Sequence, residues 1–456
     1  MTISSKYSFF LLTLLMLLGA CGCEKPKPQD EPQNGEADLT LVKQSVVIDG
    51  DCLWSGKPQI TVHIENPNEV MVRLSVKAKL STDKKEQLEE VADSVDVPAK
   101  SEIDHVLTTE ENLKPGFYRA ACFVNGKNAG AVCFGIDVYD IVSAPDMQAD
   151  YTEYWEGVRA QLAAIPMEAH LIEMPEMENN VSKTYLVELK SVPDGLTGEP
   201  VTVRGYYCEP KDGKKHPVLM HYYGYDTQGT TAHVDCPQGW GTYAEFYLSH
   251  RGQYINNRPE SSREPDGLGD LDNIYEDWFS YHFGDKDSYY YRGAFMDAVR
   301  AVDFMATREV CDMTKLFAEG SSQGGALTYA AAALSNYPFS AICTNVAFLG
   351  DFTDYFELVG WPGDIAKAEA QKKGMTEEQM YAFLSYYDTK NLATRISCPV
   401  LATSGGRDGT CPPHTNIAPY NVIKNPDKEY HFYPEMTHDY PKDWWNMIER
   451  FFQKHL

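Results

Sequence analysis

The sequence predicts a chain of two architectures: a small all-β sandwich, then a larger α/β unit with a mainly parallel sheet and helices on both faces. Three observations carry this expectation. Between residues 39 and 140, short runs of alternating apolar and polar side chains recur between turn signals, the pattern of an antiparallel sandwich. From Thr184 onward strand-like runs alternate with helical ones, so successive strands are joined by crossovers and lie parallel. A G-x-S-x-G sequence, Gly320 to Gly324, stands where one predicted strand gives way to a helix.

The chain has 456 residues, enough for two or three domains at roughly 150 residues each. Hydrophobic residues at 43% and charged residues at 23% are ordinary globular values, which argues against a disordered chain and against a polytopic membrane protein. Forty basic residues against 66 acidic ones leave a net charge of −26, a field that repels a phosphate backbone. With no local basic patch, nucleic acid is not an expected partner, whereas small neutral substrates are compatible.

At the N-terminus Lys6 precedes an apolar run from Phe9 to Leu18 that closes in Leu18-Gly19-Ala20-Cys21. Residues 1–20 read as an export signal, since the run falls short of the about 20 apolar residues that span a bilayer. The Leu-Gly-Ala-Cys box resembles a bacterial lipoprotein signal. That resemblance implies lipidation of Cys21 and an exported, membrane-anchored protein, on the periplasmic side or at the cell surface. Residues 21–38 are rich in Pro, Glu, Lys, Gln and Gly and read as a flexible tether.

The sandwich follows over residues 39–140. Gln59 to Ile64, Val72 to Val76 and Arg119 to Val124 alternate as strands, and Asn66-Pro67-Asn68 and Asn125-Gly126 mark turns between them. Its size, about 100 residues, fits an immunoglobulin-like domain serving as a spacer or a glycan-binding module. Eleven cysteines show no C-x-x-C spacing of a zinc site, and those in apolar runs, Cys122, Cys133 and Cys343, read as small buried hydrophobes. The pairing of the cysteines does not follow from their spacing.

The α/β unit spans residues 145–456. Tyr151 to Ala164 reads as an amphipathic helix, and Tyr289 to Thr307, Gln323 to Leu334 and Trp444 to His455 as further helices. Strands are expected over Pro217 to Tyr222, Glu245 to His250, Leu316 to Glu319, Ala341 to Val346, Val400 to Thr403 and Tyr430 to Tyr433.

The strand-turn-helix context makes Gly320-Ser321-Ser322-Gln323-Gly324 a nucleophile elbow, with Ser322 on the sharp turn and Gly320 and Gly324 giving the backbone clearance. The helix beginning at Gln323 aims its free N–H groups at a reacting carbonyl, where negative charge develops. A serine hydroxyl needs an imidazole to take its proton and an acid to orient that imidazole. In α/β-hydrolases these follow in the order Ser, Asp or Glu, His. Asp408 lies in the loop after the strand at Val400, and His438 lies between the last strand and the last helix. His431, inside a strand, and His221 and His250, upstream of the serine, read as packed or hydrogen-bonded residues; His414, after two prolines, reads as capping or solvated. Asp439 is the rival acid, badly placed to reach the Nδ1 of its own neighbour.

These residues give the chain from about Pro145 onward a resemblance to the acetyl xylan esterase / cephalosporin C deacetylase family. The family joins an R-G-Q box, a G-x-S-Q-G-G elbow, a D-x-x-C-P-P stretch and a late H-E. Here they are Arg251-Gly252-Gln253, Gly320 to Gly325, Asp408 to Pro413, and His438-Asp439, and Tyr151 to Trp155 resembles the family's opening helix. The resemblance implies an α/β-hydrolase fold and a serine carbohydrate esterase that removes acetyl groups from xylan-derived oligosaccharides or cephalosporin C. It also implies a catalytic set of Ser322, Asp408 and His438, an oxyanion hole from the N–H groups of Gln323 and Tyr225, no metal or other cofactor, and compact homo-oligomers.

The chain departs from the family pattern at Tyr223, Tyr254 and Asp439, none of them the nucleophile, acid or base. The acidic, aromatic stretch from Tyr254 to Asp287 is expected to build part of the site's mouth. Trp278 and Trp361 read as core side chains or as platforms for sugar rings, and Asp266, Asp270 and Asp272 as a solvated face. The alternatives are a general short-chain carboxylesterase or serine peptidase of the same fold, and a non-catalytic glycan-binding lipoprotein.

Overall fold

A computed structural model describes residues 36–195, 197–226, 234, 237–253, 255 and 277–456. The export signal with Cys21, the tether up to residue 35, Tyr254 and the run Asp266, Asp270, Asp272 lie outside the described residues. Among the described residues no helix is long and apolar enough to cross a membrane.

Two antiparallel sheets form the N-terminal part. One holds β1 (Lys43–Val47), β3 (Ile60–Asn66) and β6 (Ser101–Leu107), in the order β1-β3-β6. The other holds β2 (Leu53–Trp54), β4 (Val72–Thr82), β5 (Gln87–Val97), β7 (Gly116–Val124) and β8 (Lys127–Ile136), in the order β2-β8-β7-β4-β5, with β2 running parallel to β8. Along β3 Ile60, Val62 and Ile64 are buried while Thr61, His63 and Glu65 are half-exposed, the period of two that packs one sheet face on the other.

The second part is a nine-stranded sheet. Its strands are β9 (His170–Glu173), β10 (Ser182–Pro193), β11 (Pro200–Pro210), β12 (His216–Tyr222), β13 (Ala244–Ser249), β14 (Cys311–Ser321), β15 (Ala341–Asn345), β16 (Val400–Gly405) and β17 (Lys428–Tyr433). In the order β17-β16-β15-β14-β12-β13-β11-β10-β9, strands β12 to β17 run parallel and β9 to β11 form an antiparallel flank. Strands β15 and β16 are buried throughout, as continuous apolar runs covered on both faces must be. The chain leaves β12 for β13 on one side and returns to β14 on the other, so the crevice at the carboxyl ends of β12 and β14 is a topological switch point.

Helix Tyr290–Met305 is buried almost all round, against helix Gln323–Leu334 and the sheet. On the opposite face Trp444, Met447, Ile448, Phe451 and Phe452 of the last helix make one apolar stripe over Phe317, Cys343 and Leu401. The sandwich is docked against this unit: Phe117 packs its ring on Phe432 at 5.4 Å, and Asn421 Nδ2 donates to the Val138 carbonyl at 3.0 Å. Lys84, on the β4–β5 turn, pairs with Asp354 at 2.5 Å and Glu357 at 2.6 Å.

Candidate active site

Ser322 stands between the end of β14 and helix Gln323–Leu334 with φ 57° and ψ −124°, a conformation that non-glycine residues avoid and that costs on the order of 1–3 kcal/mol. The turn is held from both flanks. Ser322 N–H donates to Asn345 O at 2.9 Å, and the Ser322 carbonyl accepts from Phe348 N–H at 3.0 Å and Ala326 N–H at 3.2 Å. A Cβ on Gly324 would lie 2.1 Å from the Tyr222 carbonyl oxygen, and one on Gly320 would lie 2.3 Å from that of Gly324, so both positions exclude side chains. Ser321 points elsewhere, its Oγ accepting from Asn345 Nδ2 at 2.8 Å.

The two loops that face the elbow are tied together. Arg407 N–H donates to Met436 O at 3.0 Å, linking the loop after β16 to the loop after β17. In the first, Asp408 Oδ1 accepts from the N–H groups of Thr410 and Cys411, each at 2.8 Å, which leaves Oδ2 for His438 Nδ1 at 2.8 Å. A carboxylate only accepts, so Nδ1 carries the hydrogen and the Nε2 lone pair faces Ser322 Oγ at 3.0 Å. Asp439 is exposed and turned away, capping the N–H of Tyr440 at 2.7 Å.

Gln323 is the first residue of its helix, so its N–H has no intrahelical acceptor. Its side chain is buried, taking a hydrogen bond from the Tyr291 hydroxyl at 2.7 Å and approaching His250 Nε2 at 2.5 Å. Burial holds His250 at a pKa of about 4, which keeps it a neutral partner. Tyr225 is anchored by its hydroxyl, which donates to Asp277 at 2.5 Å and accepts from Trp278 N–H at 3.0 Å.

Arg251 and Gln253 brace that segment from behind. Arg251 makes a bidentate pair with the buried Asp297 of helix Tyr290–Met305, at 2.7 Å through both Nε and Nη2. Gly252, with φ 78°, turns the chain so that Gln253 Nε2 donates to the Gly224 carbonyl at 3.1 Å, one residue before Tyr225. The box therefore holds the Tyr225 loop through Gln253.

Of the two tryptophans, Trp278 belongs to the core: fully buried, it stacks on Tyr290 at 5.4 Å. Trp361 is 37% exposed, stacked on Phe348 at 5.2 Å and edge-on to Tyr225 at 5.4 Å, within one side chain of the elbow. His221 sits between Glu319 and Glu245; burial opposes its charge, yet the two carboxylates raise its pKa to about 9.

His414 corrects a sequence expectation. It is neither capping nor solvated but buried, 3.0 Å from Asp351 and 3.3 Å from Asp354, whose charges outweigh desolvation and raise it to about 9. Helix Pro413–Val422 folds its first turn back onto the segment after β15, which no local pattern discloses. These three residues have the donor types and closeness of a metal site, but Lys84 and Lys390 Nζ already lie on the carboxylates at 2.5 and 3.1 Å. Asn345, which binds Ser321 and the Asp439 carbonyl, and Asp277, which anchors Tyr225, were not anticipated. The signals were the position of Asn345 at the end of β15 and that of Asp277 within the acidic, aromatic Tyr254–Asp287 stretch.

Residues 137–456 match the family described as acetyl xylan esterase (AXE1). The chain belongs to the acetyl xylan esterase family. Membership makes it a serine carboxylic ester hydrolase acting on carbohydrate acetyl esters, with the α/β-hydrolase fold that its sheet displays. An acetyl esterase, Axe7A, of Xylanibacter ruminicola is 26% identical over 329 residues, 69% of each chain. An acetyl xylan esterase from Paenibacillus sp. R4 superposes with a TM-score of 0.57 at 26% identity, over 70% of this chain and 98% of that one. Acetyl xylan esterase 1 from Thermoanaerobacterium sp. JW/SL YS485 shares the fold, with a TM-score of 0.54 at 22% identity over 70% and 97% of the two chains.

Proposed function

We propose that this acetyl xylan esterase family member deacetylates xylan-derived oligosaccharides with Ser322 as nucleophile, His438 as base and Asp408 as the orienting acid. The observation that carries the reading is the hydrogen-bonded line from Asp408 through His438 to Ser322, at 2.8 and 3.0 Å, ending on a strained elbow. As Ser322 Oγ attacks the acetyl carbonyl carbon, His438 Nε2 takes the hydroxyl proton, and Asp408 stabilises the imidazolium. The N–H groups of Gln323 and Tyr225 hold the oxyanion. When the intermediate collapses, the bond to the sugar oxygen breaks and His438 returns the proton to that oxygen. Water, giving a proton to His438, then attacks acetyl-Ser322, releasing acetate and the free serine. Trp361, partly exposed beside Tyr225 and Phe348, offers an indole on which a pyranose ring of the alcohol can stack.

Acetate release across a panel of acetylated xylo-oligosaccharides, other acetylated glycans and cephalosporin C tests the substrate class. Release from acetylated xylo-oligosaccharides, reduced about tenfold in kcat/KM by Trp361→Ala, is the expected result, since a stacked aromatic contact of about 1.4 kcal/mol is a factor of ten. No release from any saccharide, with small acetyl esters still cleaved, would leave a general short-chain carboxylesterase. The Leu18-Gly19-Ala20-Cys21 box further supports export as a lipoprotein anchored through Cys21.

A further inference from the structure

A second concavity, of about 590 Å³, lies on the sheet face beside the last helix, away from the Ser322 elbow. Its floor is polar: His221, Glu245 and Glu319 from β12, β13 and β14, with Tyr247 stacked on the His221 ring at 4.1 Å. Its rim is aromatic: Trp240 is 78% exposed, Trp445 61% and Tyr440 53%. Indoles left in water at that level are unfavourable unless something uses them, and here three open aromatic side chains border one groove.

The chemistry of the groove selects among occupants. Glu245 and Glu319 flank a single cationic His221 and Glu449 lines the same groove, so the groove is net acidic and repels anions. Carboxylates accept from hydroxyl groups, and flat indoles pack on the C–H face of a pyranose ring, which together are the requirements of a neutral sugar. One buried polar atom in the lining, Tyr243 Oη, makes no hydrogen bond among the described residues. The groove is tied to the site through the chain itself. Tyr440 is two residues past His438, and Asn345 holds the Asp439 carbonyl at 3.1 Å while holding Ser321 at 2.8 Å.

We propose that this groove is an accessory binding site for the unacetylated sugar units of the polymer whose acetyl groups are removed at Ser322. The proposal rests on the carbohydrate-deacetylase reading and deepens it: the chain would be held at two points, one chemical and one by stacking. A small acetyl ester reaches only the first, a polymer both.

The test uses the full-length protein, its Trp240→Ala, Trp445→Ala and doubly substituted variants, and the polymeric substrate from which the unaltered protein releases acetate fastest. On that polymer the double variant should raise KM at least fivefold with kcat little changed, while kcat/KM on 4-nitrophenyl acetate stays within twofold. The Ser322→Ala protein, which keeps the groove, should be retarded in a native gel containing the de-esterified polymer, and Trp240→Ala and Trp445→Ala added to it should abolish the retardation. An unchanged KM on the polymer, or retardation that survives the substitutions, would overturn the groove and leave the deacetylase reading intact. Loss of activity on polymer and small ester alike would also overturn it, since the aromatic rim would then support the fold. Absence of acetate release from every acetylated polymer in the unaltered protein, with oligosaccharides still deacetylated, would overturn the groove, whereas absence from polymers and oligosaccharides alike would overturn the deacetylase reading itself. A rim that mediates self-association would appear as concentration-dependent sedimentation abolished by the same substitutions with polymer KM unmoved, again against the proposal.

Discussion

Asp408 and Asp439 are the two candidate acids for His438, and their backbone settings separate them. Asp408 spends one carboxylate oxygen on two N–H groups of its own loop and turns the other toward Nδ1, whereas Asp439 caps the N–H of Tyr440. Asp408→Asn is therefore expected to lower kcat on 4-nitrophenyl acetate by about 10⁴, as loss of the orienting acid does in comparable Ser-His-Asp sites, while Asp439→Asn stays within a few-fold. The opposite ranking would transfer the role to Asp439. Ser322→Ala should cost at least about 10³ in kcat with the fold unchanged by circular dichroism, because nucleophile and base act as a unit. Turnover near that of the unaltered protein would remove Ser322 from the reaction.

Elbow, R-G-Q box and acid loop each do their work through backbone geometry. At Gly324 a methyl group would collide with the Tyr222 carbonyl, which is part of a packed sheet and has no room to retreat. Gly324→Ala is expected to destabilise by at least about 2 kcal/mol, read from the urea midpoint, and a change under 0.5 kcal/mol would show that the turn relaxes. Gln253 acts at one remove: its amide holds the Gly224 carbonyl and so fixes the direction of the Tyr225 N–H. Gln253→Ala should lower kcat by about 10- to 100-fold with little change in KM, because an oxyanion donor is felt mainly in the transition state. A pure KM effect would assign the loop to substrate binding instead.

At the level of the entire chain, buried histidines set the dependence of stability on pH. His221 and His414 have folded pKa values of about 9 against an ordinary 6.5, so their contribution is complete below 6.5 and is lost as pH rises through 9. His250 is displaced the other way, to about 4, so stability falls as pH drops from 6.5 toward 4. Urea midpoints should peak between the two limbs, and His414→Gln should flatten the alkaline one; an alkaline slope unaffected by that substitution would show that the Asp351–Asp354 cluster does not hold a charged imidazole. At the other end of the chain, Cys21→Ser should move the protein from the membrane fraction to the soluble fraction or leave its signal uncleaved, because a lipid on that residue is the expected anchor. Mass spectrometry finding a native mature chain that begins beyond Cys21 would refute the lipoprotein reading.

The elbow, the helices Tyr151–Ala164 and Gln323–Leu334 and the core strands of the parallel sheet were legible in the sequence because each is specified locally, by a glycine pattern, a run of helix formers or a short apolar run. The order Ser322, Asp408, His438 was legible for the same reason, since each follows a recognisable strand. Partners far apart in sequence were not. The Arg251–Asp297 clamp, the His414 cluster with Lys84 and the groove between Trp240 and Trp445 join segments tens to hundreds of residues apart. A pattern reports which face of an element is apolar; which distant charge or ring meets that face is decided by strand order and by how helices fold back over the sheet.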